Sequence, residues 1–279
     1  MFQPNESTRR VSTMSFKVAA IQMVSTPDVQ ENLDAAGALI AQAAADGADL
    51  IALPEYFCLM GRKDTDKVAA RETEGSGSIQ TFLAQQARQH GIYVVGGTLP
   101  LESPEPQRVY NTTLVYGPDG AQIARYDKIH LFNFQRGTDS FDEATSIRPG
   151  TTPRIFEAPV GKIGLSVCYD LRFPELYRAF GDVSLILVPA AFTYTTGKAH
   201  WELLLRTRAI ENQCYVLAPA QGGTHPNGRR TWGQTMLIDP WGDIVAQLAE
   251  GPGVVAGNID PNRLQEVRTA LPALRHRVM

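Results

Sequence analysis

Cysteine, basic charge and long apolar runs are all scarce in this sequence, and each shortage excludes a class of protein. The 279 residues include three cysteines, with no Cys-x-x-Cys pair among them. This count and spacing argue against a disulfide framework and against a structural zinc site. Lysine and arginine number 26 against 29 acidic residues, which gives a formal net charge of -3. A chain without a basic excess is not expected to bind nucleic acid or an anionic membrane surface.

The apolar runs are too short for a membrane protein, since none approaches the roughly 20 residues that a spanning helix requires. Residues 1–15 are polar and lack the apolar centre of a secretory signal. We predict that they form a flexible N-terminal extension, with Met14 as an alternative start, and that residues 16–279 form a single domain. Together with the unpaired cysteines, these features predict a cytoplasmic protein.

Short runs rich in valine and isoleucine alternate with amphipathic segments of helix length through the rest of the chain. Residues 17–23 and 49–53 are typical of strands. Apolar residues recur at helical spacing between them, with Asp28 placed to cap a helix and Gly47 to end it. A second helix is predicted to begin near Ser78, as its N-cap. The alternation predicts an α/β fold.

The second half of the chain repeats this plan at a fixed offset of 122 residues, from 93 to 215 and from 120 to 242. Residues 92–95 align with residues 214–217, and the Pro-Asp-Gly turn at 118–120 aligns with Pro-Trp-Gly at 240–242. We therefore predict a four-layer α-β-β-α sandwich with internal pseudo-duplication, in which two sheets face each other and helices lie outside.

Three ionisable residues come where apolar runs end, which is where ligands bind in open α/β folds. Glu55 follows the run 50–54, whereas its counterpart in the second half is Ala190, so the fold itself does not need a carboxylate there. Lys128 follows a predicted hairpin strand. Cys168 ends a strand and opens a turn into a helix, whose N-terminus favours a thiolate. A thiol, a carboxylate base and a cation for an oxyanion form a complete set for acyl transfer.

The segments around these residues resemble the motifs of the nitrilase superfamily of carbon–nitrogen hydrolases. They are Leu53-Pro54-Glu55, residues 126–132 (Tyr-Asp-Lys-Ile-His-Leu-Phe) and residues 166–175 (Ser-Val-Cys-Tyr-Asp-Leu-Arg-Phe-Pro-Glu). The resemblance extends from residue 16 to about residue 271. It implies an α-β-β-α sandwich, a homodimer or larger homo-oligomer, and a hydrolase that uses no metal and no organic cofactor.

The resemblance also implies roles for individual residues. Glu55 is expected to be the general base, Lys128 the oxyanion-stabilising residue and proton donor, and Cys168 the nucleophile. A second family glutamate, which positions the lysine and the substrate, falls on Glu143. The backbone N–H of Tyr169 is expected to contact the oxyanion beside Lys128. A thiolate next to a lysine is also expected to have a lowered pKa.

The sequence resembles the amidase branches of the superfamily, because Tyr-Asp follows Cys168 where true nitrilases typically have Trp-Glu. Residues 128–133, 171–178 and 191–202 resemble the branch that hydrolyses deaminated glutathione to 2-oxoglutarate and cysteinylglycine, a reaction of metabolite repair. An ω-amidase acting on 2-oxoglutaramate and an N-carbamoyl-amine hydrolase are the alternatives within the family.

A small-molecule amide that carries carboxylates is expected to meet an arginine, which can bind a carboxylate through two hydrogen bonds. Arg172, four residues after Cys168, is the first candidate for this substrate-binding role, although an ordinary helix-surface arginine is an equally open interpretation. Arg136, Arg206 and Arg208 are further candidates that the sequence does not rank.

Two alternatives lie outside the family. A Cys-His hydrolase would use His130 or His225 as its base, and a non-catalytic binding protein could have the same fold. Cys58 and Cys214 are expected to be buried as small apolar side chains.

Overall fold

Two β-sheets pack face to face, and helices cover their outer faces. The computed structural model describes residues 15–136 and 139–278. The predicted extension over residues 1–15, with Met14, lies almost wholly outside the described residues, so it stays a prediction. The first strand begins at Phe16.

The strands are, in chain order, β1 (Phe16–Gln22), β2 (Leu50–Ala52), β3 (Tyr93–Val95), β4 (Leu99–Glu102), β5 (Val109–Tyr116), β6 (Gln122–Asp127), β7 (Asn133–Arg136), β8 (Asp139–Asp142), β9 (Arg154–Ala158), β10 (Gly161–Leu165), β11 (Leu185–Leu187), β12 (Tyr215–Ala218), β13 (Thr235–Ile238), β14 (Ile244–Leu248) and β15 (Gly253–Ile259). The α-helices are α1 (Val29–Ala45), α2 (Asp66–Ala69), α3 (Ser78–His90), α4 (Pro174–Ala179), α5 (Tyr194–Asn212) and α6 (Pro261–Ala270). Short 3-10 turns cover Glu143–Thr145, Cys168–Arg172 and Ala273–His276.

Apart from β4, which pairs with β5 in the first sheet alone, the two sheets share one strand order, which confirms the predicted duplication and the four-layer sandwich. In the first sheet β1, β2 and β3 run parallel, and β5 and β6 follow antiparallel. In the second sheet β10, β11 and β12 run parallel, and β13 and β14 follow antiparallel. An antiparallel strand borders each sheet, β15 beside β1 and β9 beside β10. The sequence alignment of residues 93–95 with 215–217 therefore corresponds to β3 and β12.

Side chains of β1 alternate between two cores, as the period of a strand requires. Val18 and Ala20 belong to the core between the sheets, which also includes Leu165 of β10. Ala19 and Ile21 belong to the core between the first sheet and helices α1 and α3. Burial on both faces explains why these strands are nearly continuous apolar runs in the sequence.

The helix boundaries mostly follow the sequence signals. Asp28 caps α1 as predicted, by accepting a hydrogen bond from the backbone of Glu31. Ser78, predicted as an N-cap, is instead the first residue of α3. The carboxylate of Glu72 satisfies that helix end, because it accepts hydrogen bonds from the backbone N–H groups of Ile79 and Gln80, at 2.7 and 3.2 Å.

Within the described ranges, no helix is long and apolar enough to span a membrane. In the same part of the chain, no group of three or more His, Cys, Asp or Glu side chains is arranged to hold a metal ion.

Candidate active site

The predicted site residues converge where strands of both sheets end. Glu55 follows β2, Lys128 follows β6, and Cys168 opens the 3-10 turn after β10; all three side chains are buried. A cleft of about 280 Å³ is lined by Glu55 and Cys168, together with Glu143, Tyr169, Arg172 and others. The two sheets thus bring together residues that are more than a hundred positions apart in the chain.

Lys128 lies between two carboxylates. Its Nζ donates hydrogen bonds to Glu55 Oε1 at 2.9 Å and to Glu143 Oε1 and Oε2 at 3.0 and 2.8 Å. Burial alone would lower the pKa of Lys128, but the carboxylates of Glu143 and Glu55 raise it above the usual value. Burial likewise opposes ionisation of Glu143, yet the Lys128 ammonium lowers the pKa of that carboxyl overall. Lys128 is therefore protonated and Glu143 ionised at neutral pH, so the two side chains carry opposite charges.

Glu143 begins the 3-10 turn after β8 and is held by two further donors. The Tyr56 hydroxyl donates to its Oε1 at 2.8 Å, and the backbone N–H of Phe132 donates to its Oε2 at 2.7 Å. Each oxygen of Glu143 thus accepts one hydrogen bond from Lys128 and one from a second donor. These four hydrogen bonds fix the orientation of the carboxylate.

Glu55 is oriented by both halves of the duplicated fold. Its Oε1 accepts from Asn111 Nδ2 at 3.0 Å, and its Oε2 accepts from the backbone N–H of Ala191 at 2.9 Å. Ala191 follows Ala190, the counterpart of Glu55 in the second half, so the equivalent segment supplies a peptide N–H. Asn111 was not predicted as a site residue, although an asparagine within a strand is unusual and could have indicated it.

The thiol sits on a sharp turn. Cys168 has a φ of 50°, in the left-handed region that non-glycine residues enter at a cost of roughly 1–2 kcal/mol. Its backbone N–H donates to the carbonyl of Pro189 at 2.9 Å. Tyr56, which follows Glu55, has a φ of 57°. Such backbone strain persists only where surrounding contacts stabilise it, and it is common at functional sites.

Asp170 holds the turn of Cys168 against the segment that carries Lys128. It is fully buried and accepts hydrogen bonds from Tyr126 Oη at 2.6 Å, from Val167 N at 2.9 Å and from His130 N at 3.0 Å. Nδ1 of His130 lies 2.7 Å from the same carboxylate. The Asp170 side chain therefore links the turn of Cys168 to Tyr126 and His130, which flank Lys128 in the chain.

Asp170→Asn is expected to destabilise the protein by about 3 kcal/mol or more, because an amide NH₂ would face buried donors. We expect a fall in the melting temperature of roughly 5–10 °C in a thermal unfolding experiment. Asp28→Asn is the matched control, since asparagine is also a good helix cap and the change should be close to neutral. Equal melting temperatures for the two variants would contradict this role of Asp170.

The Cys168 thiol differs from its predicted state. Burial raises its pKa well above the usual value, the nearby Glu55 carboxylate raises it further, and Lys128 compensates only in part. The expectation of a lowered pKa was wrong because it considered the lysine without the two carboxylates and the burial. The thiol is therefore protonated at neutral pH, and its sulfur could act as a nucleophile only with a base to take the proton.

Alkylation of Cys168 by iodoacetamide is therefore expected to accelerate about tenfold per pH unit from pH 7 to beyond pH 9, because the thiolate is the reacting form and the raised pKa keeps it scarce. Peptide mass spectrometry would follow the rate, with Cys168→Ala to assign the signal. A rate that does not change between pH 6 and pH 9 would show a preformed thiolate instead.

Arg172 lines the cleft. Its guanidinium carbon lies 5.7 Å from the ring centre of Tyr169 and 5.4 Å from that of Phe192. Among the described residues it forms no ion pair with a carboxylate, and its Nη1 is 3.3 Å from Nδ1 of His200. Tyr169 lines the same cleft, with its ring edge against Phe132.

The other candidate arginines do not line the cleft, as far as the structure describes them. The buried Arg208 donates to the carbonyl of Leu171 at 3.1 and 2.7 Å, and Arg206 donates to the carbonyl of Gly242 at 2.7 Å. Both therefore hold backbone segments in place. The side chain of Arg136 lies outside the described part of the chain.

The two candidate histidine bases are held by other groups. His130 contacts Asp170 and stacks on Phe173 at 3.7 Å, while the ring nitrogens of His225 lie 2.8 Å from Ser25 O and Thr231 Oγ1. Neither histidine lines the cleft with Cys168. This arrangement does not support a Cys-His hydrolase. Cys58 and Cys214 are buried free thiols, as the sequence predicted.

A buried thiol, a carboxylate and a lysine thus meet at the strand ends of a double sheet, and these are the groups that cysteine-dependent acyl transfer requires. The chain belongs to the carbon-nitrogen hydrolase family, whose model matches residues 17–269. It is thus a hydrolase of the nitrilase superfamily, acting on carbon–nitrogen bonds other than peptide bonds.

Several proteins are similar to it over nearly their whole length. A "Deaminated glutathione amidase" of Synechocystis sp. is 42% identical over 94% of this chain and 98% of its own. An "Omega-amidase NIT2" of Xenopus tropicalis is 36% identical over 94% of this chain and 95% of its own. The crystal structure of Saccharomyces cerevisiae Nit3, described as a member of branch 10 of the nitrilase superfamily, superposes with a TM-score of 0.86 at 30% identity, covering 95% of this chain and 97% of that one.

Proposed function

We propose that the protein hydrolyses the amide bond of deaminated glutathione to give 2-oxoglutarate and cysteinylglycine. The observation that carries this proposal is the position of Arg172, with no carboxylate partner among the described residues, in the same cleft as Cys168 and Glu55. Deaminated glutathione is a 2-oxoglutaryl amide, so it brings a carboxylate to that arginine. The similarity to proteins with the corresponding amidase name supports this choice of substrate.

The first half of the reaction forms a thioester. Glu55 takes the proton of the Cys168 thiol as the sulfur attacks the amide carbonyl carbon. The carbonyl oxygen becomes an oxyanion, which Lys128 and the backbone N–H of Tyr169 stabilise. The C–N bond then breaks, and the leaving amine takes the proton from Glu55. Glu143 is a positioning residue, because it holds Lys128 from the opposite side to Glu55.

The second half of the reaction releases the acid. Water attacks the thioester carbonyl while Glu55 takes a proton from it, and the oxyanion again faces Lys128. Collapse of this intermediate breaks the C–S bond, releases 2-oxoglutarate and returns the proton to the Cys168 sulfur. The protonated resting thiol agrees with this cycle, since burial raises its pKa.

Arg172→Met is expected to raise KM for deaminated glutathione about tenfold to a hundredfold, since a charge-assisted hydrogen bond to the acyl carboxylate is lost. We expect kcat to change much less, because the variant leaves Glu55, Lys128 and Cys168 in place. Steady-state kinetics would measure both constants. Arg154→Met, on the exposed strand β9, is the control. An unchanged KM for Arg172→Met would contradict the role.

The proposed substrate is tested by measuring 2-oxoglutarate release from deaminated glutathione and from 2-oxoglutaramate in parallel. We expect a higher kcat/KM for deaminated glutathione. Faster release from 2-oxoglutaramate would make the protein an ω-amidase, as the Xenopus relative is named. Carbon dioxide release from an N-carbamoyl compound, with no activity on either amide, would overturn both assignments.

We also propose a homodimer, formed through the exposed face of α5. Leu203 is 66% exposed and Ile210 is 49% exposed on this helix, and Trp241, on the turn beside Ile210, is 52% exposed. A cluster of large exposed apolar side chains is typical of an interaction surface. Light scattering of the eluted protein should give twice the chain mass, and Leu203→Asp should give a monomer.

A cytoplasmic location is supported by the state of the cysteines. Cys58, Cys168 and Cys214 are all free thiols, which persist in a reducing compartment. Fractionation of the native cells would test this assignment.

A further inference from the structure

A second cleft, of about 810 Å³, opens beside the active-site cleft, and Arg229 lines both. Tyr56, whose hydroxyl donates to Glu143, also lines this second cleft. Its described walls carry several basic side chains and a single carboxylate: Arg62, Lys63, Lys67 and Arg229, with Asp64. We call it the basic cleft. An anionic group is expected to be attracted to such a surface.

Lys67 forms only long hydrogen bonds in the described structure, and its ammonium lies 5.5 Å from the ring centre of Tyr56. Its side chain is only 17% exposed, yet its nearest hydrogen-bond partners are Asp64 Oδ1 at 3.5 Å and Ser146 Oγ at 3.4 Å. Lys128, by comparison, has three acceptors between 2.8 and 3.0 Å. Burial lowers the pKa of Lys67, and the exposed Asp64 offsets this only in part. A bound carboxylate would complete the coordination of this ammonium.

The hydrogen-bond donors of Arg229 are also only partly paired in the described structure. Its Nη2 donates to the carbonyl of Ala191 at 3.0 Å, and its guanidinium carbon lies 5.5 Å from the ring centre of Phe141. Its Nε is buried and has no hydrogen-bond partner among the described residues. A buried N–H group without an acceptor is costly, so an acceptor from a ligand is favoured there.

The path of the leaving amine points towards this basic cleft. The amine takes its proton from Glu55, so it departs on the side of that carboxylate. Glu55 Oε2 is held by the N–H of Ala191, and the carbonyl of Ala191 is held by Arg229. Arg172, in contrast, contacts Tyr169, which follows the nucleophile in the chain, and Phe192, which follows Ala191. Arg229 also lines the basic cleft and Arg172 does not, so the two arginines are placed to meet different ends of one substrate.

We propose that the basic cleft binds the carboxylate at the far end of the leaving group, with Lys67 and Arg229 as its ligands. This inference rests on the proposed function and specifies it: the enzyme selects amides whose amine carries its own carboxylate, as a dipeptide does. Cysteinylglycine ends in a glycine carboxylate, whereas 2-oxoglutaramate releases only ammonia. The basic cleft is thus the part of the site that separates the two substrates.

The test compares three substrates: deaminated glutathione, the same molecule with its glycine carboxylate converted to an amide, and 2-oxoglutaramate. Lys67→Met keeps the apolar stem but removes the charge, and it does not alter the contacts of Ala191 or Glu55. We expect the ratio of kcat/KM for deaminated glutathione to that for 2-oxoglutaramate to fall about tenfold to a hundredfold in this variant. Lys67→Arg should restore most of the ratio, and Lys162→Met, on β10, is the matched control.

The effects on kcat/KM of amidating the substrate and of the Lys67→Met substitution should not be additive, since each removes one of the two partners of the same contact. Full additivity, or an unchanged ratio in the variant while the wild-type protein still hydrolyses deaminated glutathione, would overturn the inference and leave the proposed function standing. Failure of the wild-type protein to release 2-oxoglutarate from any of the three substrates would overturn the proposed function instead.

Discussion

Cys168→Ala is expected to lower kcat/KM for deaminated glutathione by at least about 10,000-fold, because no other side chain in the cleft can form the thioester. The fold should persist. The thiol is buried on a turn whose backbone is held by Pro189 and by Asp170, and alanine keeps those backbone contacts. Release of 2-oxoglutarate and a thermal unfolding curve, measured on the same preparation, would separate loss of chemistry from loss of structure.

Cys214→Ala is the control for this prediction. Cys214 is also a fully buried free thiol, and burial raises its pKa to about 12, but it lies in the core of the second sheet outside the cleft. We expect this variant to keep wild-type kinetics with a modest loss of stability, typical of removing one buried atom. Activity above about 1% in Cys168→Ala, or an equal loss in both variants, would show that Cys168 is not the nucleophile.

Most of the fold could be predicted from the sequence, because it follows from patterns of residues close together in the chain. Helix α1, the hairpin of β5 and β6 and the equivalence of β3 and β12 all correspond to signals of period, capping or fixed offset. The cap of α3 shows the limit of such signals. Ser78 has the right residue type, but the Glu72 carboxylate reaches the helix end from outside it, and no local rule locates such a contact.

The sequence predicted which residues lie together at the candidate site, but not their electrostatics. Glu55, Lys128, Glu143 and Cys168 could be proposed from motifs, and the structure brings them together. The pKa of Cys168 could not be predicted, because it depends on burial and on carboxylates that arrive from distant strands.

The ligands proposed for the basic cleft could not be predicted for a related reason. Lys67 lies in the four-residue helix α2 and Arg229 in a loop, so neither has a strand or helix period around it, and only the folded chain shows that Arg229 contacts Ala191. A charged residue in such a segment is solvated in most proteins, so its sequence context carries no signal of a site.

Glu55→Gln is expected to slow the hydrolysis of deaminated glutathione about 1,000-fold, within the range that a positioned general base contributes. Glutamine has nearly the same shape, and its oxygen can still accept from Lys128 and Asn111. It cannot accept the thiol proton, and its NH₂ group meets the N–H of Ala191 where an oxygen now lies. KM should change little, since the role proposed for Glu55 is at the reacting atoms and not at the substrate carboxylates.

The pH dependence of the residual rate then identifies the base. Without Glu55 the thiolate must form by ordinary ionisation, and burial still holds the pKa of Cys168 high. The residual rate of Glu55→Gln should therefore rise about tenfold per pH unit from pH 6 upward until the thiol ionises, because the thiolate fraction does. That point comes at a lower pH than in the wild type, since the Glu55 charge no longer raises the pKa of Cys168. Glu143→Gln is the matched comparison: it weakens the positioning of Lys128 but keeps the base, so its rate should be reduced without that slope. The opposite result, a slope in Glu143→Gln and a flat profile in Glu55→Gln, would assign the base to Glu143.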